Sequence, residues 1–107
     1  MDIETICCSI ISTAGTAKSM YIEAIYMAKK GQFDQARKHI QQAEQYSKQA
    51  NEIHFDLLQK EANGQEIPFK LLIAHTESIL MSSQEMRITS EELIDVYERL
   101  EKLEEKK

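Results

Sequence analysis

The chain has 107 residues, which is enough for one domain with a core but too few for two. Its 13 Lys and Arg against 18 Asp and Glu give a net charge of −5, which argues against a nucleic-acid or anionic-membrane surface, since both need a basic face. One Pro, three Gly and no Trp are typical of a helical protein rather than of a β-sandwich or barrel.

The cysteines and the N-terminal sequence indicate the compartment. Cys7 and Cys8 are adjacent and have no other cysteine to pair with, so we expect no disulfide framework and a reducing environment. Residues 1–4 lack the basic and apolar regions of a signal peptide, and no apolar run approaches the ~20 residues that span a bilayer. We therefore expect a cytoplasmic protein that does not insert into a membrane.

The first predicted helix covers residues 3–30. Its apolar seam advances by alternating steps of three and four residues: Ile3, Cys7, Ile10, Ala14, Ala17, Tyr21, Ala24 and Ala28. Asp2 is a suitable N-cap, and Gly31 is a suitable glycine for the C-terminal cap. Further apolar residues lie off the seam, so this helix is expected to contact several neighbours or other subunits.

The second and third helices are predicted over residues 33–63 and 68–104. The second has one apolar stripe: Ala36, Ile40, Ala43, Ser47, Ala50, His54 and Leu57. Pro68 is expected as the first residue of the third helix, where its missing N–H costs nothing. In that helix, apolar residues recur every seven positions: Leu72, Ile79, Met86, Leu93 and Leu100. A capping-box pattern at residues 89–92 would allow a break, but the unbroken heptad favours one long helix.

Three long helices joined by short connections predict an all-α fold. The simplest arrangement is an antiparallel up-down-up bundle, with residues 1–107 forming a single domain. The sequence has no phosphate-binding glycine loop, no CxxC pair, and neither an HExxH nor a GxSxG motif. A self-contained enzyme is therefore not expected.

The three histidines are the main candidates for chemistry. His39 is expected to be solvated on the polar side of the second helix, and His54, on the apolar stripe, to be a hydrogen-bonded interior or interface residue. Imidazole has an unperturbed pKa close to 7, so much of it is neutral and nucleophilic at that pH. One helical turn from His75 lie Leu71, Leu72, Ser78 and Ile79. His75 is therefore either a buried structural residue, which the spacing alone favours, or a nucleophile on an apolar docking surface.

Three segments resemble a known family, the lactose/cellobiose-type IIA proteins of the phosphoenolpyruvate-dependent sugar phosphotransferase system. Residues 10–19 (IISTAGTAKS) are similar to its first-helix signature, and residues 28–36 (AKKGQFDQA) to its AK-x-G-D-F-x-x-A turn. Residues 71–81 (LLIAHTESILM) resemble its active-site segment, L-V-x-x-H-A-Q-D-H-L-M. The three segments occur in the family's order and spacing over nearly the whole chain.

The resemblance implies both assembly and activity. It implies three-helix subunits that form a homotrimeric nine-helix bundle. By resemblance, His75 accepts a phosphoryl group from the carrier protein HPr, through Nε2, and passes it to a cysteine of a IIB protein. The IIB protein then phosphorylates an incoming lactose/cellobiose-type disaccharide. The chain is thus expected to be a phosphotransferase component that carries phosphohistidine and needs no cofactor.

The active-site segment departs from the family pattern beside His75. Leu71 and Leu72 are retained as flanking apolar residues, while Glu77, Ser78 and Ile79 replace Gln, Asp and His. By resemblance the Asp lies near the threefold axis and can hold a metal ion, so Ser78 predicts no metal there. A carboxylate at position 77 is expected to oppose the negative charge of phosphohistidine.

Two alternatives remain open at this stage. The first is a helical trimer that has lost phosphoryl transfer and acts as a binding or regulatory module, which the changes at residues 77–79 would favour. The second is a generic coiled-coil adaptor, which predicts that His75 is buried.

Overall fold

The computed structural model describes residues 2–68 and 70–106, which form three α-helices and, within those ranges, no strand. Helix α1 is Ile3–Lys29, α2 is Phe33–Ala62 and α3 is Leu71–Glu105. The predicted all-α bundle is confirmed, with α1 and α2 ending within a residue of expectation. None of the described helices is long and apolar enough to cross a membrane.

Local sequence accounts for the ends of α1 and α2. The Asp2 carboxylate accepts the Thr5 N–H at 2.7 Å, so Asp2 is the predicted N-cap of α1. Gly31 follows α1 with φ +80°, and Gly64 follows α2 with φ +93°, values that favour glycine. In both turns the N–H of the glycine and the N–H of the residue after it donate to carbonyls of the last helical turn, which is the Schellman arrangement.

The third helix starts later than predicted. It begins at Leu71, so the expectation that Pro68 is its first residue is wrong, and Phe69 lies outside the described residues. Lys70 is extended, with φ −139° and ψ 160°, and Ile67 packs against the apolar cluster at this end of the bundle. Ile67 therefore covers this end of the bundle before the helix begins. From Leu71 onward α3 is one unbroken helix, as the heptad spacing predicted.

Helix α1 is the central element of the bundle. It packs along both other helices, while α2 and α3 meet each other much less extensively. The seam predicted for α1 is buried from Cys7 to Ala28, and the alanines of α2 allow α1 to approach closely. Two apolar clusters result, one at each end, and the cluster nearer the start of α3 contains Ile6, Ile10, Leu57 and Leu80.

Polar pairs bridge α2 and α3 where the two helices meet, and we call this line of pairs the α2–α3 seam. Its members are Arg37 with Asp95 and Glu98, Glu44 with Arg87, Asn51 with Gln84, and His54 with Glu77. Residue numbers rise along α2 as they fall along α3, so the two helices are antiparallel.

Candidate functional site

His75 lies in the second turn of α3 and is exposed to solvent. The fully buried positions of this helix, which include Thr76 and Leu80, face α1. Position 75 lies about 100° around the helix from Thr76, since each residue turns an α-helix by about that angle. The structural interpretation, in which His75 is interior, is therefore wrong. The adaptor hypothesis also required a buried His75, so the structure contradicts it.

The side chains around His75 form a largely apolar surface. Leu71 is 84% exposed, while Leu72 and Ile79 are half-buried and Ser78 is exposed. Single exposed leucines are common on protein surfaces, so it is the grouping of Leu71, Leu72 and Ile79 around one imidazole that favours a docking contact. An open groove of 990 Å³ borders α2 and Arg87, and His75 does not line it. The surroundings of His75 thus suit a protein partner better than a small molecule.

Glu77 is on a different side of α3 from His75. Residues two apart on a helix do not face each other, and Glu77 reaches across the α2–α3 seam to His54. The distance between His54 Nε2 and Glu77 Oε1 is 2.7 Å. Since a carboxylate can only accept, the imidazole donates through Nε2–H. The expected hydrogen-bonded role of His54 is confirmed, although the sequence alone did not identify Glu77 as its partner.

His39 is not the solvated residue that the sequence suggested. Its side chain is only 18% exposed, and its Nε2 lies 3.5 Å from Oε2 of Glu23 in α1. This Nε2 makes no hydrogen bond to the described part of the protein, and the same is true of the buried Ser83 hydroxyl. His39 is buried because it lies at the edge of the α2 stripe and faces α1. Its polar neighbours in the sequence did not indicate this position.

Over residues 2–68 and 70–106, no group of three or more His, Cys, Asp or Glu side chains is arranged to hold a metal ion. Ser78 supplies a hydroxyl at the position where the resemblance implied a metal-binding Asp. That no metal binds beside His75 stays a prediction. Cys7 is buried in the α1 seam and Cys8 is exposed, and both are free thiols.

Comparisons with known proteins agree in pointing to one family. Residues 5–98 match the family described as "PTS system, Lactose/Cellobiose specific IIA subunit". The oligo-beta-mannoside-specific EIIA component of Bacillus subtilis (strain 168) is 36% identical over 94 residues, covering 88% of this chain and 86% of that protein. The lichenan-specific IIA component from the same organism is 32% identical, covering 92% and 90%.

A solved structure has the same fold. The PTS cellobiose-specific enzyme IIA from Bacillus anthracis superimposes with a TM-score of 0.90 at 28% identity, and the match covers 94% of each chain. The family match includes the segment around His75 and nearly all of the three-helix bundle. The chain therefore belongs to the lactose/cellobiose-specific IIA subunit family of the sugar phosphotransferase system.

Proposed function

We propose that this phosphotransferase-system component carries a phosphoryl group on His75. The group comes from phosphorylated HPr and goes to the cysteine of a IIB protein, for uptake of a lactose/cellobiose-type disaccharide. The observation that carries the proposal is an exposed imidazole on an apolar surface, within the segment that matches the family. Residues 1–107 act here as one IIA-type domain.

The electrostatics near His75 support a transient negative charge. The first turn of α3, which precedes His75, contains no acidic residue that would repel a phosphoryl group. Glu77 is engaged by His54 rather than turned toward His75. The Glu77 carboxylate is therefore directed away from His75. This weakens the expectation that Glu77 opposes phosphorylation, which had favoured a non-transferring regulatory module.

The transfer itself makes and breaks one bond between nitrogen and phosphorus. The neutral His75 ring attacks phosphorus through Nε2 while the bond to the histidine of HPr breaks. The leaving imidazole takes up a proton, and His75 releases one from its second nitrogen, so charge and protons balance. Such a step depends on alignment and screening of charge more than on a dedicated base. Leu71, Leu72, Ser78 and Ile79 provide the surface that aligns the partners.

We also propose that three copies assemble through α3. Exposed apolar side chains lie on the side of α3 opposite its buried positions: Met81, Ile88, Val96 and Leu103. Exposed apolar side chains on one side of a helix favour a surface that another protein covers. Light scattering should give three times the mass of one chain, and Ile88→Glu should give a smaller species. A monomeric wild-type protein would contradict this assembly.

The test of the carrier function is phosphorylation by purified components. Wild-type protein incubated with phosphoenolpyruvate, the upstream enzyme and HPr should acquire an acid-labile phosphoryl group and lose it on addition of a IIB protein. His75→Ala should stay unlabelled, while His39→Gln, the matched control on α2, should label fully. A wild-type protein that binds HPr yet never labels would instead support the regulatory module.

A further inference from the structure

His54 occupies the end of the α2–α3 seam nearest to His75. The other bridging pairs, from Asn51–Gln84 to Arg37–Glu98, lie progressively farther along α3. Among the α2 residues of the seam, His54 has the partner closest in sequence to the proposed phosphoryl acceptor: Glu77 is two residues from His75. Glu77 therefore lies about 3 Å from His75 along the axis of α3, since each residue adds about 1.5 Å.

The hydrogen bond fixes where the Glu77 carboxylate stays. The His54 side chain is 17% exposed and so lies within the seam, while the Glu77 side chain is 43% exposed and borders solvent. At 2.7 Å the bond is short for N–H···O, as expected when the acceptor is ionised. Within the described residues the Glu77 side chain has no other hydrogen bond or ion pair, so without the donor nothing would hold its carboxylate against α2.

A released carboxylate would matter because of what His75 is proposed to carry. A phosphorylated side chain bears about −1.5 to −2 charges near neutral pH. Lys70, the residue before α3, lies 3.9 Å from Glu4, and both side chains are largely exposed. A mobile Glu77 side chain would thus add negative charge to a region with little fixed positive charge to offset it.

We propose that His54 is a positioning residue for the phosphoryl transfer proposed above. Its Nε2–H holds the Glu77 carboxylate on the α2 side of α3, so that the surface around His75 stays clear of that charge when the phosphoryl group arrives. This role rests on His75 being the acceptor. It also explains how this chain tolerates a glutamate where the family pattern has glutamine.

The test measures kcat/KM for phosphoryl transfer, that is, the rate at limiting concentrations of phosphorylated HPr. His54→Ala should lower it about threefold to tenfold, the size expected of a partly screened charge a short distance away. His54→Gln, whose amide can donate to the same carboxylate, should recover most of the rate. In the Glu77→Gln background, the same His54→Ala change should have no further effect.

Two controls separate this role from simple support of the fold. Asn51→Ala removes the neighbouring hydrogen bond of the same seam, of 3.1 Å to Gln84, and should leave the rate unchanged. Raising the salt to about 1 M should shrink the difference between wild type and His54→Ala, because the Debye length falls to about 3 Å. A mere loosening of the seam would be reproduced by Asn51→Ala and would not depend on salt.

The inference is overturned if His54→Ala transfers at the wild-type rate, if Asn51→Ala loses as much, or if the loss persists with Gln at position 77. These outcomes presuppose that the wild-type protein labels at His75. An unlabelled wild type would instead refute the carrier function, so the two failures are distinguishable.

Discussion

The Tyr21–Ser47 hydrogen bond links α1 to α2 in the interior of the bundle. Tyr21 is 0% exposed, and its hydroxyl lies 2.7 Å from the Ser47 hydroxyl. Ser47→Ala leaves the phenol buried without this partner, which costs the desolvation of that group. We expect the free energy of unfolding to fall by about 1–2 kcal/mol. Urea unfolding followed by far-UV circular dichroism measures it, at one protein concentration because any assembly contributes.

A double-mutant cycle tests the reasoning behind that value. Tyr21→Phe alone removes the same bond, but it leaves Ser47 half-buried, where water can reach it. The double variant lacks both hydroxyls, so no unpaired hydroxyl remains. Its free energy of unfolding should therefore fall by about 1 kcal/mol less than the sum of the two single losses. Additive losses would refute the account of a buried, mutually satisfied pair.

The pKa of Tyr21 provides an independent readout of the same bond. Burial raises the pKa of Tyr21 above its ordinary value of 10.0, and the hydrogen bond from Ser47 partly counteracts this rise. Ser47→Ala should therefore raise the pKa of Tyr21 further, as followed by the absorbance of tyrosinate. An unchanged or lower pKa would contradict the assigned geometry.

Three further predictions concern stability. Ile94→Ala in the core, where Ile94 is 2% exposed, should lower the free energy of unfolding by about 2–4 kcal/mol, and a loss below about 1 kcal/mol would contradict its burial. The hydrogen bond from Arg37 lowers the pKa of Glu98 from its ordinary value of 4.5. The ionised Glu98 therefore stabilises the fold above pH 4.5, and this stabilisation disappears as the pH falls through the lowered pKa. Glu98→Gln should therefore be less stable than wild type at about pH 7 and equally stable at about pH 2, whereas a constant difference would contradict the ion pair. Gly31→Ala should destabilise by about 1–2 kcal/mol because φ is +80° there, and the added methyl group would also displace the Glu101 carboxylate, 2.9 Å away. A Gly31→Ala variant as stable as wild type would show that the turn relaxes.

The helices and the α1 core were predictable from the sequence because local physics determines them. The α1 seam is an alternation of three- and four-residue steps, and every position from Cys7 to Ala28 in it is buried. The Asp2 cap and the Gly31 turn follow from donors and backbone angles that need no tertiary contact. These features depend only on residues within a few positions of one another.

The rotation of α3 could not be predicted in the same way. Its apolar heptad residues Leu72, Ile79, Met86 and Leu93 are only half-buried and Leu100 is exposed, whereas the fully buried positions include Thr76, Ser83 and Ser90. Small hydroxyl residues do not stand out as core residues in a sequence. In the fold, Thr76 and Ser90 satisfy their hydroxyls with carbonyls of their own helix, which makes burial acceptable.

The candidate site was partly predictable. Sequence similarity indicated His75 as the candidate acceptor, but spacing alone suggested that it was buried, because a periodic pattern does not reveal which side of a helix its neighbours cover. The opposition expected from Glu77 was likewise inferred from sequence proximity. The contact that determines its direction, to His54, joins residues 23 apart in the chain and requires the packing of α2 on α3.

The most direct measurement of the central claim is the position of the phosphoryl group on the wild-type protein. After phosphorylation through HPr, mass spectrometry of peptides kept at alkaline pH should find one phosphoryl group per chain, on the peptide containing His75. That group should be lost in acid, as expected of phosphohistidine. A stable phosphate on Ser78, a label on His39 or His54, or no label at all would contradict the account.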